Sequence, residues 1–150
     1  KQCLMHKIIF PILFILFVQS NLFSQEQLGW QDLTNVSFNK VYSAKYGDYF
    51  LKPTFGVTIK SYEGAKIRIK GYFLDFSTEE EFYLISKNPM SSCFFCGGAG
   101  PETIVEVMFK QKTNFKTDQV VEITGILQLN SEDVDHCNYI LKEATGKLLE

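Results

Sequence analysis

The sequence of 150 residues has no excess of basic residues, only two histidines, and no apolar run of the roughly 20 residues that a membrane-spanning helix needs. Its 15 lysines and arginines are outnumbered by 17 aspartates and glutamates, which gives a formal net charge of −2. A surface that binds nucleic acid would need a basic stripe to neutralise phosphates. The composition therefore predicts no nucleic-acid partner.

The motifs of common enzyme sites are also missing. The sequence has no nucleophile-elbow pattern that would indicate a catalytic serine acting with a histidine and an acid. The glycine-rich segment Gly97-Gly98-Ala99-Gly100 lacks the Lys-Ser/Thr pair of a phosphate-binding loop. These absences argue against an enzyme and favour a binding or structural protein, whose partner in the periplasm is an unknown protein or small molecule.

The first residues have the layout of a secretory signal peptide. Lys7 precedes the apolar run IIFPILFILFV (8–18), and Ser24 is a small residue at which a peptidase could cut. We expect a signal peptide over residues 1–24, with Met5 as an alternative start of the chain. An uncleaved N-terminal anchor is the other interpretation, since leaders and anchors differ mainly in length.

Removal of this leader would leave a single domain over residues 25–150, located in the periplasm or secreted and without a transmembrane span. Lys1 and Lys7 would be lost with the leader, so that 13 basic residues would face 17 acidic ones. This balance strengthens the case against nucleic acid.

Alternating apolar and polar residues predict a mainly β protein. AKIRIKGYFLD alternates isoleucine with charged residues at the period of two that a half-buried strand requires. GVTIKSY (56–62) shows a similar alternation, and Glu63-Gly64 follows as a turn, so the two segments predict a hairpin. Further strands are expected in EFYLIS (81–86), TIVEVMFK (103–110), QVVEITGILQLN (119–130) and NYILKEA (138–144), whereas LGWQDLTNVSF has room for one or two helical turns.

Two of these strands share an internal glycine, Gly71 in one and Gly125 in the other. A glycine inside a strand often marks a bulge or a bend, and bent strands are what a small closed barrel needs. With five to six strands, the pattern favours an OB-like closed or partly open β-barrel over a flat sandwich.

The segment SSCFFCGGAGPE (91–102) contains the most distinctive residues of the chain. Loss of Cys3 with the leader leaves Cys93, Cys96 and Cys137, an odd number in an oxidising compartment. The connection from Ser86 to Glu102 is much longer than the usual 4 to 6 residues, which is typical of a functional loop.

Cys-x-x-Cys followed by glycine is the pattern of a metal knuckle, in which two thiolates bind one ion. A structural zinc site has four ligands, and we predict that Cys93, Cys96 and His136 provide three of them. The fourth is Cys137 or Asp135. Zinc is the expected metal, and copper(I), which also favours thiolates, is the alternative.

Two interpretations without metal remain open for Cys93 and Cys96. A disulfide would fasten the loop, which is the default use of cysteine in exported proteins. A reducible pair would serve thiol–disulfide exchange, although thioredoxin-like sites place this motif at the start of a helix, which GGAGPE does not predict.

The segments GAKIRIKGYFLD, CFFCGGAGPETIVEV and VEITGILQLNSEDVDHCNYIL resemble a family of small exported bacterial proteins, with members in Bacteroidetes, that have an OB-like barrel and a CFFCGGAGPE signature. The resemblance extends from about Trp30 to Ala144. It implies that Cys93, Cys96 and the two following glycines belong to the signature, and that His136 lies in a C-terminal H-x-N-Y-I-L stretch. The family has no established activity, so the resemblance implies a fold and a motif but no reaction.

Overall fold

The protein, represented by a computed structural model, is described over residues 26–149. The predicted signal peptide and its cleavage point lie outside these residues. Two short helices and eight strands follow one another in the described part. Their bounds are β1 Glu26–Gln27, α1 Trp30–Leu33, β2 Val36–Ser43, β3 Asp48–Phe55, α2 Val57–Lys60, β4 Lys66–Asp75, β5 Tyr83–Ser86, β6 Ile104–Phe109, β7 Val120–Leu129 and β8 Tyr139–Leu148.

Five strands form a closed barrel in the order β4-β5-β6-β8-β7, and a pairing between β4 and β7 closes the circle. The β6–β8 pair is parallel and the other four barrel pairs are antiparallel. The predicted mainly β, OB-like barrel is therefore confirmed, with five barrel strands, a short β1 added beside β4, and a separate β2–β3 hairpin. Neither of the two short helices described is long or apolar enough to cross a membrane.

Strand β4 changes partners along its length, because its first part pairs with β7 and its last four residues pair with β5. The change occurs at Tyr72, directly after Gly71. A Cβ atom on Gly71 would lie 2.5 Å from the carbonyl oxygen of Ser86 and 2.9 Å from Cζ2 of Trp30. Glycine is required here because backbone and indole approach the strand closely.

The predicted irregularity near Gly125 is confirmed, with the extra residue on the partner strand. The partners of Thr124 and Ile126 on β8 are three positions apart, so Gly125 opposes two residues. One of these, Glu143, has a positive φ of 51°. Such a bulge increases the local coiling of the strand, which a small closed barrel requires.

The period of two assigns alternate residues of the barrel strands to the interior. The buried core includes Ile67, Ile69, Phe73, Tyr83, Ile85, Val105, Val107, Val121, Ile123, Leu127, Tyr139 and Leu141. The intervening residues of β4, β5 and β6 point outward. On that outer face, Leu74 of β4 pairs with Leu84 of β5, and Leu84 pairs with Glu106 of β6. These three residues form a row across the strands, with two leucines followed by a glutamate. This row lies beneath the candidate site.

The predicted strand in GVTIKSY is wrong, because Val57–Lys60 is one helical turn. The Asn35 side-chain oxygen accepts hydrogen bonds from the backbone N–H groups of Thr58 and Ile59, at 3.1 and 3.4 Å. This long-range cap provides an acceptor for the free N–H groups at the start of the turn, and it therefore stabilises a helical rather than an extended conformation. The predicted helical turn near Trp30 is confirmed as α1.

Candidate functional site

The segment between β5 and β6, residues 87–103 (the cysteine loop), folds as three short 3₁₀ turns, Met90–Ser92, Phe94–Cys96 and Pro101–Thr103. The Lys87 N–H donates to the Thr103 carbonyl at 2.9 Å and closes the base of the loop. The Met90 N–H donates to the Asp118 carboxylate at 2.7 Å and ties the loop to the segment that precedes β7. The long connection is therefore ordered by its own turns and by these two anchors.

The two cysteines of the motif occupy different environments. Cys93 is fully buried, whereas Cys96 is exposed, and neither forms a disulfide. Their sulfur atoms lie 3.9 Å apart, and the Cys96 thiol also reaches the Met90 carbonyl at 3.1 Å. The hydrogen bond with Cys93, and secondarily desolvation, raises the pKa of the Cys96 thiol above its usual range.

Cys93 belongs to a second apolar cluster on the outside of the barrel, which we call the outer cluster. Its buried members are Leu74, Leu84 and Cys93, and the side chains of Phe76, Phe82, Met90 and Cys137 pack against them. Burial, and secondarily the charge of Glu106, raises the pKa of the Cys137 thiol to about 12. The outer cluster thus holds one end of the Cys-x-x-Cys motif against the sheet, and Cys137 faces this cluster.

Glu106 continues the same row of the sheet as a buried carboxylate, with its side chain 5% exposed. Its Oε1 accepts a hydrogen bond from His136 Nδ1 at 2.8 Å, and its Oε2 accepts one from the Cys137 N–H at 2.9 Å. The Glu106 hydrogen bond is the main cause that raises the pKa of His136 above its ordinary value. Because Nδ1 faces Glu106, Nε2 is the ring nitrogen left for a ligand.

His136 lies on the connection between β7 and β8, residues 130–138 (the acidic loop). The buried side chain of Asn130 organises this loop, since its oxygen accepts from the N–H groups of Glu132 and Asp133 at 3.2 and 3.0 Å. The Asn130 amide nitrogen donates to the Asp133 carbonyl at 2.6 Å. The side chain of this one asparagine therefore provides hydrogen-bond partners for backbone N–H and C=O groups of the loop.

The cysteine loop, the acidic loop and strand β3 enclose a cleft of about 360 Å³. Its apolar lining consists of Phe50, Leu51, Pro53, Phe82, Phe94, Phe95, Pro101, Ile104, Val134 and Cys137, and its polar lining of Ser131, Glu132, Asp133, Asp135, His136 and Asn138. Phe94 and Phe95 are the two residues between the cysteines. The Cys-x-x-Cys motif therefore supplies part of the wall of the cleft.

Charge on the cleft is uneven. Lys52 of β3 neutralises Glu132 at 2.7 Å, and Tyr46 donates to Asp135 at 3.2 Å. The described lining contains carboxylates and one histidine but no lysine or arginine. The acidic loop therefore gives one side of an otherwise aromatic cleft a negative character.

The predicted ligand set is only partly assembled. Cys93 and Cys96 lie together, but His136 is hydrogen-bonded to Glu106, and the side chain of Asp135 is turned toward Tyr46. Among residues 26–149, no group of three or more histidine, cysteine or acidic side chains is arranged to hold a metal ion. A metal site built on Cys93, Cys96 and His136 thus stays a prediction.

Sequence analysis missed Glu106 and the aromatic wall. Glu106 carried a signal, since it is a lone acid between two valines in a strand that is otherwise apolar. The sequence gives no local signal that Phe94 and Phe95 line a cleft, because the cleft is formed by segments distant in sequence.

No known family model matches the chain, and no curated protein matches its sequence. Among solved structures, the chain is similar to the crystal structure of a DUF3299 family protein from Pseudomonas aeruginosa PAO1, with a TM-score of 0.55 and 11% sequence identity. The similarity covers 85% of this chain and 97% of that one. At this identity the two proteins share a barrel fold, and the likeness carries no statement about activity.

Proposed function

We propose that the protein is an exported binding protein whose ligand occupies the cleft between the cysteine loop and the acidic loop. The observation that carries this proposal is the position of Phe94 and Phe95, which lie within the sequence motif and line the cleft. Phe95 is 52% exposed, so its ring is accessible to a molecule that enters the cleft. A motif of two cysteines that presents two aromatic rings to a cleft is suited to ligand binding.

The lining defines the class of ligand. A cleft of about 360 Å³ is at the small end of the range for small-molecule sites. The phenylalanines favour an apolar, preferably aromatic, body that can pack edge to face or offset. His136 Nε2 and the carboxylates of the acidic loop offer polar contacts at the opposite side. The ligand is thus a small amphipathic molecule.

Titration with the neutral, apolar dye N-phenyl-1-naphthylamine tests this proposal, because its fluorescence rises in an apolar environment. We expect saturable binding to the mature protein and a several-fold weaker affinity for Phe95→Ala, which removes part of the wall. Tyr42→Ala is the matched control, since Tyr42 is equally exposed at 55% but lies on the hairpin outside the cleft. Equal losses in both variants, or no saturable binding, would contradict the proposal.

Export is part of the same proposal. It is supported by the signal-peptide layout of residues 1–24 and by the resemblance of CFFCGGAGPE to the signature of exported Bacteroidetes proteins. N-terminal sequencing of the protein from a periplasmic fraction should begin at Gln25. A protein that retains residues 8–18 in the membrane fraction would instead indicate an anchor.

A second candidate function is metal binding at Cys93 and Cys96, with zinc as the expected ion and copper(I) as the alternative. Two thiolates that share a tetrahedral zinc at about 2.3 Å lie about 3.8 Å from each other. The observed sulfur separation of 3.9 Å matches this spacing. The Glu106–His136 hydrogen bond also resembles the carboxylate–histidine pairs that orient metal-binding imidazoles, which supports His136 as a ligand through Nε2.

Elemental analysis distinguishes this candidate. Protein purified without chelator should contain about one equivalent of zinc, and Cys96→Ser should lose it. Cys137→Ser tests whether the thiol in the outer cluster is the fourth ligand, because its loss should then weaken zinc binding as well. Protein without metal, with or without a Cys93–Cys96 bond, would remove the metal candidate and leave the binding cleft intact.

A further inference from the structure

We infer that Cys93 and Cys96 form a thiol–disulfide couple that regulates the cleft, with a disulfide compound as the exchange partner. This inference rests on the proposed binding function, since it concerns the regulation of the same site. The observation behind it is that one backbone segment holds both cysteines and part of the cleft wall. The two residues between Cys93 and Cys96 are Phe94 and Phe95, which line the cleft. Formation of a bond between the sulfurs would therefore act on the segment that carries this wall.

The two sulfur atoms are close enough to bond after a small movement. Their separation of 3.9 Å must shorten to about 2.05 Å in a disulfide. Cys93 is fixed, because it is fully buried in the outer cluster against Leu74 and Leu84. Cys96 is exposed at the end of a 3₁₀ turn, and Gly97 follows it with a left-handed φ of 76°. Cys96 is therefore the residue that moves.

The exposed and buried positions also assign the roles in exchange. The Cys96 thiolate attacks one sulfur of the disulfide compound RSSR, forms a mixed disulfide and releases one RS⁻. The Cys93 sulfur then loses its proton, attacks the Cys96 sulfur and expels the second thiolate. Two electrons pass from the cysteine pair to RSSR, which leaves as two RSH after both thiolates take up the protons. A dithiol reverses the reaction.

Bond formation would act on the aromatic wall directly. Phe95 packs against Phe94 with ring centroids 5.2 Å apart and against Phe76 of the outer cluster at 5.3 Å. A covalent link between Cys96 and the buried Cys93 would restrict the two phenylalanines between them to one arrangement. Because a wall that is already ordered loses less conformational freedom on binding, the oxidised protein should bind its ligand more tightly.

The test compares the mature protein after treatment with oxidised glutathione and after treatment with dithiothreitol, with chelator present in both cases. Mass spectrometry of the oxidised sample should show a loss of two hydrogen atoms, located in the peptide that contains Cys93 and Cys96. Titration with N-phenyl-1-naphthylamine should then give a dissociation constant at least about threefold lower for the oxidised form.

Two variants serve as controls. Cys96→Ser should bind the dye but show no difference between the two treatments, whereas Cys137→Ser should keep the difference. Equal or weaker binding by the oxidised protein, while Phe95→Ala still weakens it, would overturn the coupling and leave the binding function standing. Absence of dye binding in both states would overturn both, and stoichiometric zinc that prevents disulfide formation in untreated protein would overturn the coupling alone.

Discussion

Glu106 Oε1 lies 2.8 Å from His136 Nδ1, and this pair joins the outer face of the barrel to the loop that closes the cleft. Glu106 is buried on β6, while the His136 side chain is 41% exposed and lines the cleft. A buried carboxylate is costly unless it is paired or hydrogen-bonded. The same contact therefore satisfies Glu106 and fixes the orientation of the imidazole.

The first prediction concerns the titration of His136. Its pKa should lie above the ordinary value of about 6.5, because Glu106 favours the imidazolium. The stabilisation from this pair is then fully present below the unfolded-state value and is lost as the pH rises through the higher folded-state value. NMR titration of the imidazole C–H signal, together with unfolding experiments at pH 5 to 9, measures both effects.

Glu106→Gln is the control for this titration. It keeps a similar shape but removes the negative charge, so the pKa of His136 should fall and the loss of stability between pH 6 and 8 should become smaller. An unchanged pKa of His136 in this variant would contradict the assigned hydrogen bond.

The second prediction separates the two cysteines by burial. Cys93→Ser should reduce the free energy of unfolding by about 1 to 3 kcal/mol, because it places a hydroxyl group in the apolar outer cluster. Cys96→Ser should change it by less than about 0.5 kcal/mol, because this side chain is exposed. Urea denaturation with reductant and chelator present excludes contributions from a disulfide or a metal. Equal effects of the two substitutions would show that Cys93 is not anchored in that cluster.

The third prediction concerns the close approach at Gly71. Gly71→Val should destabilise the fold by about 1 to 3 kcal/mol, since the new side chain would overlap the Ser86 carbonyl and the Trp30 ring. Lys66→Val on the same strand is the control, because Lys66 is exposed and valine favours a strand. Thermal unfolding should lower the midpoint only for the first variant. Similar midpoints for both would mean that Trp30 and β5 do not pack against Gly71 as described.

The fourth prediction concerns acid stability through Glu122 on β7. Its side chain is 7% exposed and lies 2.8 Å from Lys147 and 3.6 Å from Lys70, and the Lys147 hydrogen bond is the main cause that lowers its pKa. This contribution is present above the ordinary glutamate pKa of about 4.3 and is lost as the pH falls through the lowered value. Glu122→Gln should therefore be less stable than wild type at pH 7 and approach it near pH 2 to 3.

Glu132 provides a comparison for Glu122, because its pKa is also lowered, mainly by the Lys52 hydrogen bond, but its side chain is 75% exposed. Water screens such a surface pair, so Glu132→Gln should have a smaller effect at neutral pH. A larger effect for Glu132 than for Glu122 would reverse the order that burial predicts.

Local patterns in the sequence were sufficient for most of the barrel. The alternation in β4 and β7 is visible within about ten residues, because one face of each strand packs in the interior and the other faces outward. The same local pattern misled in GVTIKSY, where Asn35 caps a helical turn from 23 residues away. The β2–β3 hairpin was missed because it stands apart from the barrel, and many of its residues are exposed on both faces.

The sequence by itself determined that the chain forms a small β-barrel and that Cys93 and Cys96 lie in a long connection between two strands, since strand period and loop length are local properties. Tertiary structure alone decided that Phe94 and Phe95 line a cleft, that Cys137 joins the outer cluster, and that Glu106 holds His136 from 30 residues away. The physical reason is the strand order. Pairing β6 in parallel with β8 aligns Glu106 with Ile140 and so brings the acidic loop beside it, and this register depends on the closure of the whole barrel.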